Sequence, residues 1–507
     1  MKLKIADFTL FGLVSFLAGS LSIFSQSPWN YIVVLLVSFP ILYYLLDKGN
    51  SDSSFFIKFI KFSYFGSLFL YGYFFFGLLW VSSAFSYQED LESLKFISIF
   101  GLPLLLTIIS IPGWFFTAFF WGSRLQSCIA ISFGLVIGEY SRSIFFTGFP
   151  WNLFGHVLSF DDRALQIISI IGIHTATFFI IIFSLTPILL FRKKTFIFGL
   201  ISAMVIPFMI FYGFLRIPDN VNFSKKDFLL VQPNISQDMK MGNDNLQPLL
   251  DKFINLSSQR PTVELIIWPE SALPILLSDN KVIRKHIMNS ISGDSSLLTG
   301  NIRIDEKGLY RNSSFLINED SKIISAYDKI HLVPFGEYLP FSRFINNLTF
   351  LRVVTSDLGF NRGLSYEPIR TPIGLARVLI CYEIIFSREI MQSKQRPDLL
   401  INITNDAWFD NFSGPYQHFD NAKFRAIEYG LPVLRSANTG ISAVIDPYGR
   451  VLEKINLGQE GSIYSFLPKK IPETFFSKFG DFTLLILFII CSLLFRKNLM
   501  REYFYGK

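Results

Sequence analysis

Eight apolar stretches dominate this sequence, and each is close to the length of a helix that crosses a lipid bilayer. The chain is 51% hydrophobic and only 17% charged, whereas soluble domains carry about a quarter charged residues. A bilayer-spanning helix needs roughly 20 apolar residues. Together the stretches predict a membrane α-helical bundle of about eight spans, at residues 7–25, 29–46, 63–86, 96–120, 122–140, 165–190, 195–215 and 478–495.

The basic residues predict how these spans are oriented. Lysine and arginine residues precede the first stretch, separate the second from the third and the sixth from the seventh, and follow the last. The alternate loops are acidic or neutral. Because basic loops stay on the cytoplasmic side, both termini are predicted to be cytoplasmic and segment 216–477 to lie outside the cytoplasm. The net charge of +7 is therefore not interpreted as a nucleic-acid surface, since it forms no stripe or tail.

Segment 216–477 has a different pattern, typical of an α/β domain. Short apolar runs rich in β-branched residues recur at 228–231, 263–268, 376–380 and 399–403, and amphipathic or polar stretches separate them. Such runs predict buried strands. We therefore expect three parts: a helical bundle at 1–215, an extracytoplasmic α/β domain at 216–477, and a final span with a short basic tail at 478–507.

Cys381 is a candidate nucleophile. It follows an apolar run and precedes a predicted helix start, where the positive end of the helix dipole favours thiolate. It is also the only cysteine of segment 216–477; Cys128 and Cys491 lie in apolar stretches. The alternative is a small buried core residue, which is common for a free cysteine. No cysteine pair or histidine pair has metal-ligand spacing, so we expect no metal site.

Two charged residues are candidate partners of that thiol. Glu270 ends the apolar run 263–268 after a proline that stops the strand, a usual position for a catalytic group in an α/β sheet. Lys329 precedes an apolar stretch that ends at Glu337, and a lysine near a cysteine can stabilise the thiolate and then an oxyanion. Taken alone, each residue is also compatible with a solvated turn or surface loop.

Histidine offers a competing chemistry. His331 or His418 would be the base of a Cys–His pair, and sequence spacing does not decide between this scheme and a carboxylate base. For His418, a role in capping or packing a helix start is an adequate alternative.

Several motifs, in order along the chain, resemble known families. The segments around Glu270, Lys329 and Cys381 resemble the nitrilase, or carbon–nitrogen hydrolase, superfamily. The whole chain, with membrane spans on both sides of that domain, is similar to the bacterial apolipoprotein N-acyltransferase family. The motifs are Trp-Pro-Glu-Ser-Ala at 268–272, Val-Pro-Phe-Gly-Glu at 333–337, Cys-Tyr-Glu at 381–383, Asn-Asp-Ala-Trp-Phe at 405–409, Arg-Ser-Ala-Asn-Thr-Gly at 435–440 and Thr-Gly-Phe-Pro-Trp at 147–151.

The resemblance implies an α-β-β-α sandwich and assigns roles to residues. Glu270, Lys329 and Cys381 would be the catalytic triad. The residues that would support the triad or contact substrate are Glu337, Tyr382, Glu383, Met241 and Trp408. Met241 departs from the family pattern, which usually has a tryptophan there on a loop near the active site. Asp410 stands where the family often has glycine.

The implied reaction is a two-step acyl transfer without a cofactor. A membrane phospholipid would be the acyl donor, and the diacylglyceryl-cysteine of an apolipoprotein would be the acceptor. The implied location is the bacterial inner membrane, with the catalytic domain on the periplasmic side.

Four aromatic residues are candidates for lining a lipid entrance, with interface anchoring or core packing as the alternative. They are Trp151, Phe335, Tyr338 and Trp408. A membrane-tethered amidase or nitrilase, with water as acceptor, is the alternative enzyme. A transporter or receptor is the alternative outside enzymes.

Overall fold

The computed structural model describes residues 5–50, 54–86, 95–241, 246–260, 262–291, 293–338 and 359–504. The chain divides into two compact units. One comprises Met1–Leu79, Phe96–Ile217 and Thr474–Lys507, and the other comprises Trp80–Lys95 and Pro218–Glu473. We call them the helical unit and the sandwich unit.

The described α-helices in chain order are α1 (Ile5–Ser22), α2 (Leu35–Gly49), α3 (Phe55–Gly77), α4 (Leu102–Ile109), α5 (Ile111–Phe119), α6 (Arg124–Arg142), α7 (Asp162–Leu165), α8 (Ile168–Ser184), α9 (Thr186–Leu190), α10 (Phe196–Ala203), α11 (Val205–Arg216), α12 (Gln237–Met241), α13 (Leu246–Ser257), α14 (Lys281–Ile291), α15 (Ser413–Tyr429), α16 (Phe475–Phe479) and α17 (Phe482–Phe504).

The described strands are β1 (Phe223–Gln232), β2 (Leu265–Ile267), β3 (Ser296–Ile304), β4 (Tyr310–Ile317), β5 (Ile323–Asp328), β6 (Ile369–Thr371), β7 (Gly374–Ile380), β8 (Leu399–Thr404), β9 (Val433–Ala437), β10 (Ser442–Ile445), β11 (Val451–Ile455) and β12 (Gly461–Pro468).

The helical unit contains several helices apolar enough for a bilayer. Within the described residues, four segments have the length and composition to cross a membrane, and a bent pair (Phe55–Gly77 with Leu79–Ser86) raises the number to five. Two shorter apolar helices accompany them. Every apolar stretch of the sequence coincides with helix, while the total of eight spans stays a prediction. The four segments are Phe8–Ser25, Ile32–Gly49, Ile97–Phe119 and Phe196–Arg216.

Large apolar side chains cover the outside of these helices. Phe208 and Phe211 of α11, for example, are exposed over more than half of their surface. A water-soluble protein rarely shows apolar area on this scale, whereas a lipid environment accepts it. Between helices, small residues allow close approach: a Cβ added at Gly19 of α1 would meet the Phe69 carbonyl oxygen of α3 at 1.8 Å.

A buried ion pair organises the loop that follows α6. Glu139 and Arg142 lie 3.8 Å apart and both are buried. The Arg142 guanidinium donates to the carbonyl of Asn152 at 3.0 Å, and Glu139 accepts from the backbone N–H of Phe154 at 2.6 Å. The pair is thus engaged in holding its own loop, which argues against the transporter interpretation, because that interpretation needs charges available along a pathway.

Two six-stranded sheets form the sandwich unit. Their strand orders are β12-β1-β2-β3-β4-β5 and β11-β10-β9-β8-β7-β6. The strands β1, β2 and β3 are parallel, as are β7, β8 and β9. The edge strands of both sheets pair antiparallel.

The alternation of side chains along β1 explains the layers. Phe228 and Leu230 lie in the core between the two sheets. Leu229 and Val231 face the opposite side, where α13 and α14 pack. Because successive strand residues point to opposite faces, a fully apolar strand is buried on both sides. The helix α15 packs against β9 and β10 of the other sheet, which gives the α-β-β-α arrangement.

Candidate active site

The three candidate catalytic residues stand directly after strand ends. Glu270 follows β2 by three residues, Lys329 follows β5, and Cys381 follows β7. The strand β2 is buried, as are the last five residues of β7, whereas β5 is largely half-buried or exposed. In each case the polar residue comes after strand pairing stops. Between β2 and Glu270, Trp268 packs against Phe253 at 4.5 Å between ring centroids, which anchors the turn that carries the carboxylate.

A buried hydrogen-bond network joins Glu270 to Lys329. The Lys329 ammonium lies 3.5 Å from Glu270 Oε1, and Asn312 Nδ2 donates to the same oxygen at 2.8 Å. The backbone N–H of Asn405 donates to Glu270 Oε2 at 3.0 Å. Glu270 is 6% exposed and Lys329 is 1% exposed. The carboxylate is therefore oriented by donors from both sheets and shielded from water.

Glu337 completes this network. Its Oε1 atom lies 2.9 Å from Lys329 Nζ and accepts from Asn312 Nδ2 at 2.8 Å, while Oε2 accepts from the Val333 N–H at 2.7 Å. Burial alone would lower the pKa of Lys329, but Glu337 and Glu270 outweigh it and raise the pKa. The lysine is held as an ammonium ion, which is the form that can stabilise an oxyanion.

Cys381 has a strained backbone and a protonated thiol. Its φ is +53°, a left-handed conformation that non-glycine residues rarely adopt. Burial raises the pKa of the Cys381 thiol, the charge of Glu270 raises it further, and the charge of Lys329 opposes them only in part. The charges of both partners therefore act on this sulfur, and the thiol needs a base before it can attack.

This corrects the expectation that a helix start favours thiolate at Cys381. The segment after the cysteine is a five-residue 3₁₀ turn, Cys381–Ile385, and not the start of a regular helix. A helix dipole grows with aligned peptide units, so the turn contributes little, and desolvation of the buried thiol dominates.

Glu383 links the cysteine turn to the lysine loop. Its Oε2 accepts from the Ile380 N–H at 2.8 Å. Its Oε1 accepts from the hydroxyl of Tyr327 and the N–H of Ile330, each at 2.8 Å, and from the N–H of His331 at 3.2 Å. One buried carboxylate thus fixes the backbone on both sides of the site, which is a positioning role.

The remaining predicted residues occupy different environments. Tyr382 is buried and packs edge-on against Phe386. Trp408 is half-buried in the 3₁₀ segment Asp406–Phe409. Phe335 is exposed and Tyr338 is half-buried in the turn Pro334–Tyr338. The backbone of Met241 ends α12, while its side chain lies outside the described part of the chain.

Trp151 belongs to the helical unit. It is buried there and stacks with Phe149 at 6.1 Å between ring centroids. These contacts agree with the packing role that was the alternative to lining a lipid entrance.

The two histidines do not form the competing Cys–His arrangement. His331 Nδ1 lies 2.9 Å from Glu389 Oε1, and its ring stacks on Phe386. His418 Nε2 lies 3.2 Å from the carbonyl oxygen of Cys381, so it meets the backbone of the cysteine. The carboxylate of Glu270, by contrast, acts through its charge on the Cys381 thiol.

Sequence reasoning missed several residues of the site. Asn312 lies within β4, where its only signal is a polar side chain in a strand that is otherwise buried. Asn405, Asp406 and Arg435 were noticed as parts of motifs, without a role. Their contacts depend on strand pairings between distant segments, such as β8 with β9.

The fold and these contacts define a carbon–nitrogen hydrolase domain, and residues 230–470 match the family described as carbon-nitrogen hydrolase. Residues 18–186 match the apolipoprotein N-acyltransferase N-terminal domain. The chain is 33% identical to the apolipoprotein N-acyltransferase of Rhodopseudomonas palustris, covering 96% of this chain and 95% of that one. It is 34% identical to the enzyme of the same name from Rhizobium rhizogenes, covering 90% and 89%.

A third relative, the apolipoprotein N-acyltransferase of Bradyrhizobium diazoefficiens, is 33% identical and covers 95% of this chain and 94% of its own. The likeness therefore extends through both units and is not confined to the sandwich. The chain belongs to the apolipoprotein N-acyltransferase family.

Proposed function

We propose that this protein transfers an acyl chain from a membrane phospholipid to the N-terminal α-amine of the diacylglyceryl-cysteine of apolipoproteins. The observation that carries the proposal is the buried Glu270–Lys329 pair, whose charges both act on the Cys381 thiol. Family membership over the whole chain supplies the class of substrates, since the relatives carry the name of this activity.

In the first half-reaction, Glu270 takes the proton of the Cys381 thiol as the sulfur attacks the ester carbonyl of the phospholipid. The Lys329 ammonium stabilises the oxyanion of the tetrahedral intermediate. When the intermediate collapses, the C–O bond breaks and Glu270 returns its proton to the leaving lysophospholipid oxygen. A thioester remains on Cys381, and the carboxylate is restored.

In the second half-reaction, the α-amine of the acceptor attacks the thioester carbonyl. Glu270 removes a proton from the amine, the C–S bond breaks, and the proton returns to the Cys381 sulfur. The products are an amide and the free thiol. Two successive substrates at one nucleophile predict ping-pong kinetics.

The domain arrangement is part of the proposal. Residues 1–215 and 478–507 would form the membrane bundle of about eight spans, and 216–477 the catalytic domain, on the periplasmic side of the inner membrane with both termini cytoplasmic. Apolar helices in both terminal parts support this arrangement. Both substrates are lipid-anchored, so a membrane location places them within reach of the thiol.

The test is intact-mass spectrometry of the purified full-length protein after incubation with phospholipid. We expect a hydroxylamine-labile acyl adduct on the wild type and on Cys491→Ala, and none on Cys381→Ala. Absence of any adduct would reject the thioester. Adding a diacylglyceryl peptide should then release the acyl chain as an amide, and release as free fatty acid would favour the rival amidase or nitrilase.

A further inference from the structure

A buried charged cluster contacts the backbone of the proposed nucleophile, Cys381, and the proposed mechanism does not use it. Arg435 Nη2 donates to Asp406 Oδ2 at 2.7 Å, and His418 Nδ1 lies 2.9 Å from Asp406 Oδ1. His418 Nε2 in turn lies 3.2 Å from the carbonyl oxygen of Cys381. All three side chains are 0–1% exposed. Ionic groups buried this deeply are costly unless each is closely partnered.

The cluster is built to orient the imidazole. Thr404 Oγ1 also donates to Asp406 Oδ1, at 2.8 Å. Burial would raise the pKa of Asp406, but Arg435 and His418 outweigh it, and the pKa is held well below its usual range. Asp406 is therefore a fixed carboxylate. Arg435 is itself anchored by a hydrogen bond to the carbonyl of Ile441 at 3.1 Å.

The contact with Cys381 depends on which nitrogen of His418 carries a proton, because the carbonyl oxygen of Cys381 can only accept. Burial lowers the pKa of His418, and Asp406 opposes this only in part. In the neutral ring, a proton on Nε2 donates to the Cys381 carbonyl while Nδ1 accepts from Arg435 Nη2 at 3.2 Å. In the charged ring, both nitrogens donate, to Cys381 and to Asp406. A neutral ring with its proton on Nδ1 would instead donate to Asp406 Oδ1 and lose the bond to Cys381. The bond to Cys381 therefore requires a proton on Nε2.

Aromatic packing holds the same ring from the side. Phe409 meets His418 edge-on, at 5.6 Å between ring centroids, and Trp80 meets Phe409 at 4.7 Å. All of these residues belong to the sandwich unit. An imidazole with polar partners on both nitrogens and an aromatic neighbour has little freedom to rotate, so its Nε2 position is well defined.

The backbone of Cys381 is the feature that needs such support. A non-glycine residue in the left-handed region costs on the order of 1–3 kcal/mol and persists only where the surroundings determine it. Glu383 holds the N–H of Ile380, on the strand side of the cysteine. The carbonyl of Cys381 is held by His418. The strained residue is thus fixed before and after its Cα.

We propose that His418 is a positioning residue for the nucleophile, holding the Cys381 carbonyl so that the strained turn directs the sulfur at the ester and at Glu270. The inference rests on the proposed acyl transfer for its kinetic readout. The position of the Cys381 thiol is tested separately, by an alkylation that needs no lipid substrate.

Two variants of His418 separate this contact from the rest of the cluster. In His418→Gln the amide nitrogen reaches about as far as Nε2, so donation to the Cys381 carbonyl is retained. In His418→Asn the amide reaches only as far as Nδ1, so the Asp406 contact is retained and the Cys381 contact is lost. Both variants remove the imidazole, so a difference between them reports the contact with Cys381.

Three quantities are measured on the full-length protein in detergent: the melting temperature, the alkylation rate of Cys381 by iodoacetamide, and the rate of acyl-adduct formation over a range of phospholipid concentrations. Rates are taken per folded molecule. We expect His418→Asn to slow acylation at saturating phospholipid by about 10- to 100-fold, the size expected for small misplacement of a reacting group, with the half-saturating concentration unchanged. The acylation rate of His418→Gln should be at least about tenfold higher than that of His418→Asn.

Wild-type acylation and alkylation rates in His418→Asn would overturn the proposal. So would a loss in His418→Gln as large as that in His418→Asn, which would mean that His418 acts only through folding, or a larger loss in His418→Gln, which would mean that it acts through Asp406. If the wild type forms no acyl adduct, the acyl-transfer function fails. The alkylation rates then still decide whether His418 positions the thiol, because iodoacetamide needs no lipid.

Discussion

The ammonium nitrogen of Lys329 lies 2.9 Å from the Oε1 atom of Glu337, closer than it lies to Glu270. The charge of the lysine is thus stabilised by a carboxylate outside the three proposed catalytic residues. That leaves the Glu270 carboxylate less committed to an ion pair and available to accept a proton. Glu337 therefore bears on the chemistry although it takes no proton in the proposed mechanism.

We predict that Glu337→Gln slows acyl-adduct formation by about 100-fold. The substitution removes the negative charge beside the buried Lys329 ammonium. It also places an amide donor against groups that themselves donate to Glu337. Breaking a buried ion pair typically costs about 3–5 kcal/mol. Glu337→Asp, which keeps the charge, should be affected less. The measurement is the adduct rate by mass spectrometry. Equal rates in wild type and Glu337→Gln would mean that Glu270 alone balances Lys329.

A second lysine, Lys240, gives a prediction about pH and stability. Its Nζ atom donates to the carbonyl of Ser271 at 3.1 Å. Burial lowers the pKa of Lys240 to about 8, and Glu270 opposes this only in part. The ordinary value of 10.5 applies to the unfolded chain. Between pH 8 and 10.5 the unfolded state therefore binds more protons, and this group makes the free energy of unfolding rise with pH.

Lys240→Met removes that dependence. We expect the variant to melt about 2–4 °C above the wild type at pH 7, where the wild type holds a partly buried ammonium, and we expect this difference to shrink by pH 9.5. Comparing the two proteins at each pH cancels the titration of all other groups. The check is the melting temperature of the full-length protein in detergent. A difference that does not vary with pH would contradict the lowered pKa.

The positions of Glu270 and Cys381 could be predicted because apolar runs end at them. A buried strand reads as a continuous β-branched segment, and its end is where a polar residue can be exposed to substrate. The surroundings of these residues could not be predicted in this way. Asn312 reaches Glu270 only because β4 is the neighbour of β3 in the same sheet, a pairing that local sequence does not specify.

The protonation of Cys381 did not follow from sequence, and the number of spans stays a prediction, for a related reason. Whether a turn residue is solvated or buried depends on what packs over it. For Cys381, burial is the largest cause of the raised pKa that keeps the thiol protonated. Likewise, several apolar stretches are interrupted helices: Gly172 within α8 has a φ of +67°, and Ser110 separates α4 from α5. Hydropathy registers the apolar length of a segment but does not reveal such breaks.

The hydroxyl of Tyr327 offers a test of the Glu383 link. Tyr327→Phe removes one of four donors to that carboxylate. A single hydrogen bond is worth about 1 kcal/mol, so we expect a melting temperature about 2–4 °C lower and acylation per folded molecule within about threefold of wild type, since three backbone donors still hold Glu383.

Glu383→Ala is the contrasting variant. It leaves buried donors of the cysteine turn and the lysine loop without an acceptor, each at a cost of about 1–3 kcal/mol. We expect little folded protein to accumulate, whereas Glu383→Gln, which keeps one acceptor oxygen, should fold with a lowered melting temperature. Full stability of the alanine variant would show that the carboxylate does not tie the two loops together.

The proposed orientation predicts which introduced cysteines a membrane-impermeant maleimide can reach. Lys322 lies in the turn between β4 and β5 and is exposed, and Lys193 lies in the exposed basic loop between α9 and α10. In cells whose outer membrane is permeabilised, we expect Lys322→Cys to be labelled and Lys193→Cys to be labelled only after the inner membrane is broken. The native cysteines are buried, so the unsubstituted protein gives the background. Labelling of Lys193→Cys in intact spheroplasts would reverse the orientation and place the Cys381 domain in the cytoplasm, where it could not meet exported apolipoproteins.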